Sequence, residues 1–200
     1  MSAYIRYGTD SSGRPIFMTP RMAAWWRRTV LILGWEPVIV QGAFMSEVPG
    51  GGAADSAGIH DLGGCLDLRT RDLTYAQREQ LVRVLRQRGA AAWRRGPDQG
   101  MTPHLHLLCG WDLPLTASAG RQWQAYLRGL DGLADQRRDY EERPSPLVTE
   151  PPEDSDMGYL DWTQEDRDAL VADVQRAIRT TPIGKIGTLG GILQSLFRRG

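Results

Sequence analysis

The hydrophobic patterning of the chain predicts an α+β fold, a small antiparallel sheet flanked by helices, with a C-terminal linker and a helical tail. Three observations carry that expectation. Short apolar or β-branched runs such as PVIVQGAF, CLDLR and HLHLLCG are the length of strands. They alternate with segments of helical spacing that open on threonine and close on glycine. And 200 residues at 41% hydrophobic content suffice for one buried core. The expected division is a folded domain over residues 1–145, a linker over 146–160 and a helical segment over 161–200.

Taken in order, the stretch from Tyr4 to Phe17 carries turn residues, Gly8, Gly13 and Pro15 among them, and reads as a short strand or arm with a turn. Thr19-Pro20 opens a helix, because a threonine cap accepts an amide hydrogen bond and a proline at the first helical position has no amide to orphan. That helix should run to Leu33 and stop at Gly34. Pro37 to Phe44 reads as a buried strand. Ser46 to Gly58, with three successive glycines, reads as a loop. Cys65 to Arg69 is a second strand, and Thr74 caps a second helix in which Leu81, Val84 and Leu85 share a face before Gly89 ends it. Ala90 to Trp93 and His104 to Gly110 are two further strands. Trp123, Tyr126, Leu127 and Leu130 then share a helical face. Glu141 to Asp156, rich in proline and acid, reads as an extended linker. Thr163 and Asp166 resemble a capping box ahead of Leu170, Val171, Val174 and Ile178.

Composition excludes some functions. Acidic and basic residues balance at 24 each, so no summed field draws the chain to nucleic acid or to an anionic membrane. The amino terminus lacks the basic-then-apolar pattern of a signal peptide, and no apolar run approaches the roughly 20 residues that cross a bilayer; the expectation is a protein made in the cytoplasm. Cys65 and Cys109 sit in apolar runs and read as two core thiols. Of the seven tryptophans, most stand beside helical apolar stripes and read as core, with Trp93 the candidate for lining a cleft.

All three histidines, His60, His104 and His106, fall in two short segments, SAGIHDLGGCLD and PHLHLLCG. On a strand, His104 and His106 point to one face and Leu105 and Leu107 to the other. Asp67 shares a face with Cys65 on its own strand. If the two strands pair, one register sets Asp67 beside a histidine, and the Gly63-Gly64 turn lets His60 fold back over the same face. Two imidazoles, a carboxylate and a position left to water make a catalytic zinc arrangement rather than a closed structural one. Spacing alone leaves a second reading open, that of hydrogen-bonded core histidines.

The stretch His60-Asp61-Leu62-Gly63-Gly64-Cys65-Leu66-Asp67 resembles the H-x-x-G-x-A-x-D signature of the zinc peptidases that include D-alanyl-D-alanine carboxypeptidases and L-alanyl-D-glutamate endopeptidases, with Cys65 in place of the usual alanine. His104-Leu105-His106 is similar to the H-x-H of that family. From about Arg6 to Leu147 the chain looks like members encoded by bacteriophages of actinobacteria. The resemblance implies Zn2+ held by His60, Asp67 and His106, and bacterial peptidoglycan as the substrate. It places His104 where it would touch the reacting water or the oxyanion, as general base or donor; the other reading makes His104 an orienting neighbour. Asp61 is either a partner that orients an imidazole or a solvated turn residue. The chain departs from the pattern at Gly58, where serine is common, at Val40 to Met45, which lacks an arginine, and at Pro103, where an acid is usual. Arg94 or Arg95 can supply the missing cation; the competing reading for each is a solvated surface position.

The implied function is a zinc-dependent peptidoglycan peptidase, a lysin or a wall hydrolase mounted on a virion. A second expectation is a non-catalytic phage structural or tail-associated protein that keeps the peptidase-like fold. Ile183, Ile186, Leu189, Ile192, Leu193, Leu196 and Phe197 near the C-terminus form an apolar segment that would dock on its own domain, on another subunit or on a virion partner.

Overall fold

The computed structural model describes residues 4–10, 12–52 and 58–152. Met1–Pro152 form one compact unit; the end of the expected linker, the expected helical segment at 161–200 and the whole apolar C-terminal run lie outside the described residues.

Among the described residues the fold is α+β, with two antiparallel sheets and three α-helices. Strands β1 (Ile5–Thr9) and β2 (Pro15–Met18) form a hairpin whose turn is tied by Asp10, which accepts from the Ser12 amide and hydroxyl and from the Arg14 amide and guanidinium. Helix α1 (Pro20–Leu33) begins and ends as its sequence dictates: Thr19 accepts from the Met22 amide, and Gly34 closes the helix at φ +76°. Helix α2 (Tyr75–Gln87) opens on a complete capping box between Thr74 and Gln77. Helix α3 (Ala117–Leu127) is capped by Thr116.

The main sheet has the order β3 (Ile39–Gln41), β4 (Cys65–Arg69), β6 (His104–Leu108), β5 (Ala91–Arg95), antiparallel throughout. The expected strand from Pro37 to Phe44 shortens to three residues. Gly42 lies so close to β2 that a Cβ there would sit 3.2 Å from Ile16 and Phe17, and Phe44 takes a left-handed φ of +53°, which ends the extended run.

Alternation along the strands divides the sheet into two faces. Leu66, Leu68, Leu105, Leu107 and Ala92 join Trp25, Trp26, Leu81 and Leu85 of α1 and α2 in the larger core. Cys65, Ala91, Trp93 and Leu108 face the other way and pack with Ala119 and Tyr126 of α3. Both thiols are free and buried, as read. No helix among the described residues is long and apolar enough to cross a membrane.

The most buried of the side chains that hold down the chain after α3 is Arg86. It donates to the carbonyls of Ala92, Glu141 and Glu142 and pairs with Asp139 at 2.7 Å. The first residues of the expected linker are therefore anchored on β5 and α2. Asp139→Ala leaves a buried guanidinium without its anion and should lower unfolding stability by about 3–5 kcal/mol in urea titrations; a loss below about 1 kcal/mol would mean the pair does not hold this segment.

Candidate metal centre

The register of the main sheet sets four side chains in a row on the face away from α1 and α2. Asp67 on β4 lies opposite Gln41 on β3 and His106 on β6, and His106 in turn lies opposite Trp93 on β5. In the next row, His104 is opposite Arg69 and Arg95. His60 arrives from outside the sheet. Its segment is fastened to the chain after β3 by amides of Met45 and Phe44 donating to the His60 and Leu62 carbonyls. The return to β4 then needs glycine: at Gly64, φ is +85° and a Cβ would lie 2.4 Å from the Leu115 side chain. Asp112 secures this turn, accepting from the Gly64 amide at 3.0 Å and from the Thr19 hydroxyl.

His60, Asp67 and His106 come together. Each offers one donor atom, and those atoms all lie within 4.8 Å of one another. The three residues are 1%, 6% and 5% exposed. Such a group can hold a metal ion, and the fit can be tested by accounting for protons. His60 Nδ1 lies 3.0 Å from the Gly42 carbonyl, His104 Nδ1 lies 2.7 Å from the Thr102 carbonyl, and His106 Nε2 lies 3.0 Å from Gln122 Oε1. A neutral imidazole has one N–H; the Gly42 and Thr102 carbonyls can only accept, and Gln122 accepts when it presents its oxygen to His106. The other three ring nitrogens all face the same carboxylate oxygen: His106 Nδ1 at 2.8 Å, His60 Nε2 at 3.4 Å and His104 Nε2 at 3.8 Å from Asp67 Oδ1. With the ring protons so placed, a proton or a metal ion would have to lie between these nitrogens and the carboxylate; with the His106 proton on Nδ1 instead, the 2.8 Å contact is a hydrogen bond to Asp67. Donor atoms about 2.0–2.1 Å from a tetrahedral metal stand roughly 3.3 Å apart. The His60 edge has that spacing, whereas the His106 edge is closed to hydrogen-bond length.

In the absence of a metal, a proton is the cation. Burial would depress the His60 pKa, but the Asp67 carboxylate and the Gly42 carbonyl outweigh it and raise it. Burial would raise the Asp67 pKa, yet the His60 and His106 rings hold it well below the usual carboxylate range. For His106 burial prevails over Asp67, and its pKa falls.

His104, with its side chain 20% exposed, stands at the edge of the trio. Trp93 is buried rather than spread along a cleft; its ring stacks on His106 at 6.1 Å and 11°, and meets Tyr126 edge-on. Asp61 serves the turn, accepting from the Gly58 amide at 3.1 Å, while its charge adds to the pull on the His60 proton. The two arginines separate by strand alternation. Arg94 leaves on the opposite face and pairs with Glu79 and Glu141. Arg95 is not a surface residue: it is 5% exposed, with its guanidinium over the Trp93 ring at 5.1 Å and Nη2 donating to the Asp131 carbonyl. Burial lowers its pKa to about 10. Gln122 and Asp112 were not foreseen. An isolated glutamine on a helix carries no sequence signal, and Asp112 could have been suspected only from its place in a turn.

No protein-family model matches the chain, and neither the curated proteins nor the solved structures contain a significant match.

Because a proton and a metal ion compete for the same lone pairs, metal uptake should release protons. The raised His60 pKa extends that competition above the ordinary histidine range. Asp67 stays ionised throughout, so the rings set the dependence. Affinity for zinc should fall about tenfold per pH unit for each proton displaced as the pH drops through neutrality. Calorimetry in buffers of different ionisation enthalpy measures the proton count; a pH-independent affinity would contradict this account.

Proposed function

We propose that the chain is a zinc-dependent peptidase acting on the stem peptides of bacterial peptidoglycan, as a phage lysin or as a wall hydrolase carried on a virion. The observation that supports this most is the convergence of three imidazole nitrogens on Asp67 Oδ1, with donor atoms of His60, Asp67 and His106 close enough to share an ion. The donor types support zinc among the divalent ions, since two imidazoles and one carboxylate are the ligand set of open, catalytic zinc sites. The resemblance of His60 to Asp67 and of His104 to His106 to the peptidase signature supports the substrate class.

In this reading His60, Asp67 and His106 hold the ion. Zinc there would supply Lewis acidity towards a peptide carbonyl and a water of lowered pKa. The chain's own residues do the rest. The Gly42 carbonyl fixes the His60 ring, presenting Nε2 to the site. Trp93 stacks on His106 and holds its plane. His104 is the most accessible of the three imidazoles, and with Nδ1–H committed to Thr102 its Nε2 is free to take a proton from the attacking water and return it to the departing amine.

The burial of the three ligand residues favours a second reading, a non-catalytic phage structural protein that keeps a metal centre within a peptidase-like fold. One experiment separates the two. The full chain is expected to hold one zinc per molecule and to release amino acids or peptides from purified muropeptides. His106→Ala should lose both properties. His104→Ala should keep zinc and lose about 10²–10⁴-fold in kcat. Stoichiometric zinc without product from any muropeptide would establish the second reading, and an intact chain that takes up no metal would end the first.

A further inference from the structure

The three imidazoles are oriented in two ways. His60 and His104 are fixed by backbone carbonyls, of Gly42 and Thr102, which can only accept. His106 is fixed by a side chain, Gln122 on α3, at 3.0 Å from Nε2. A side-chain amide can present either its oxygen or its NH2 group. It thus admits two states of the ring. With Oε1 accepting from Nε2–H, the Nδ1 of a neutral ring carries no proton and is left to a metal, which would have to enter the 2.8 Å contact with Asp67 Oδ1. With the amide reversed, the single ring proton sits on Nδ1 and closes a hydrogen bond to Asp67, in the space a metal needs.

The position of Gln122 is not free. A Cβ on Gly110, just past β6, would lie 2.0 Å from the Trp123 ring, so α3 is seated directly on the end of the strand that carries His106. On the other side of the helix residue, a Cβ on Gly132 would lie 3.5 Å from the Gln122 Cβ and 3.3 Å from Trp93. Trp93 itself is stacked on His106. Ring and amide are therefore held against each other by the packing of β5, β6 and α3.

We propose that Gln122 is the positioning residue of the centre: by accepting from His106 Nε2–H it keeps Nδ1 unprotonated and so prepares the site to take a metal ion. The proposal rests on the metal reading above. It also explains a mixed donor set, in which His60 contributes Nε2 and His106 contributes Nδ1.

Two variants in the full chain test it. Gln122→Glu keeps an acceptor and, when ionised, cannot donate; Gln122→Leu removes both functions at similar size. The ring protons of the metal-free proteins are located by long-range 1H–15N correlation, and zinc affinity is measured by chelator competition. The fraction of His106 with its proton on Nε2 should fall in the order Glu, Gln, Leu. Zinc affinity should fall in the same order, with Leu about 10–100-fold weaker than the parent chain. Melting curves identify a variant that has lost its fold, and Gln122→Glu then carries the test alone. Identical His106 tautomers in all proteins, or a Glu variant as weak as the Leu variant, would overturn the proposal in favour of simple packing. If the parent chain binds no zinc, the metal reading fails on that measurement, while the tautomer order still decides what Gln122 does.

Discussion

The pairing of Asp67 with His106 across β4 and β6 is the constraint on which the rest of the site depends. It is fixed by the core, not by the site. The alternation that points Asp67 and His106 to one face sends Leu66, Leu68, Leu105 and Leu107 into the helix-covered core on the other. A one-residue slip would reverse all of them at once and expose the leucines, which makes the register costly to change. A two-residue slip would keep the faces but set Asp67 against His104 or Leu108. That slip is resisted beyond the strand ends, where Cys109 donates to Gly64 and Gly63 donates to Pro114. The hydrophobic core and the metal centre are consequently two outcomes of one alignment.

Electrostatically, the centre is one buried carboxylate surrounded by three imidazole nitrogens. Burial of Asp67 is unfavourable by itself, and the carboxylate stays ionised because the rings around it can carry a proton or share a metal ion. Arg95 adds a second buried charge on the same face. Its position beside Trp93 lets it act on the centre at a distance, helping to depress the His106 pKa after burial and His60 have acted. Burial lowers the His106 pKa while Asp67 raises that of His60, so a proton competes with a metal more strongly at His60 than at His106. Neighbouring groups with opposed shifts are the arrangement expected where charge is meant to be exchanged.

How much of this was legible in the sequence follows the range of the interactions involved. Helix α1 could be bounded to the residue because Thr19, Pro20 and Gly34 are local signals. Strand β3 was overestimated because Gly42 and Phe44 are constrained by β2, a contact no local window contains. The convergence of His60, Asp67 and His106 was accessible from strand parity and the Gly63-Gly64 turn together. Of the two readings of Arg95, a solvated surface position is the one its burial overturns, and counting two residues on from Trp93 would have placed it on the inner face. Gln122 could not have been found this way, since its reach to His106 depends on how α3 sits on Gly110.

Whether a buried centre is built to be closed or to react turns on what occupies its fourth position. A closed structural zinc site takes four protein ligands, commonly including thiolates. Cys65 is on the right face, two residues from Asp67, but burial and the adjacent Asp67 carboxylate push its thiol pKa well up and keep it protonated. It is not among the three residues whose donors converge. Cys109 points to the other face of the sheet, into the larger core. The nearest remaining donor is His104, whose Nε2 is 3.8 Å from the shared carboxylate oxygen and whose ring is the most exposed of the three. Of the rings around Asp67, His104 is thus the one nearest solvent, and in the peptidase reading it is the ring placed to move a proton.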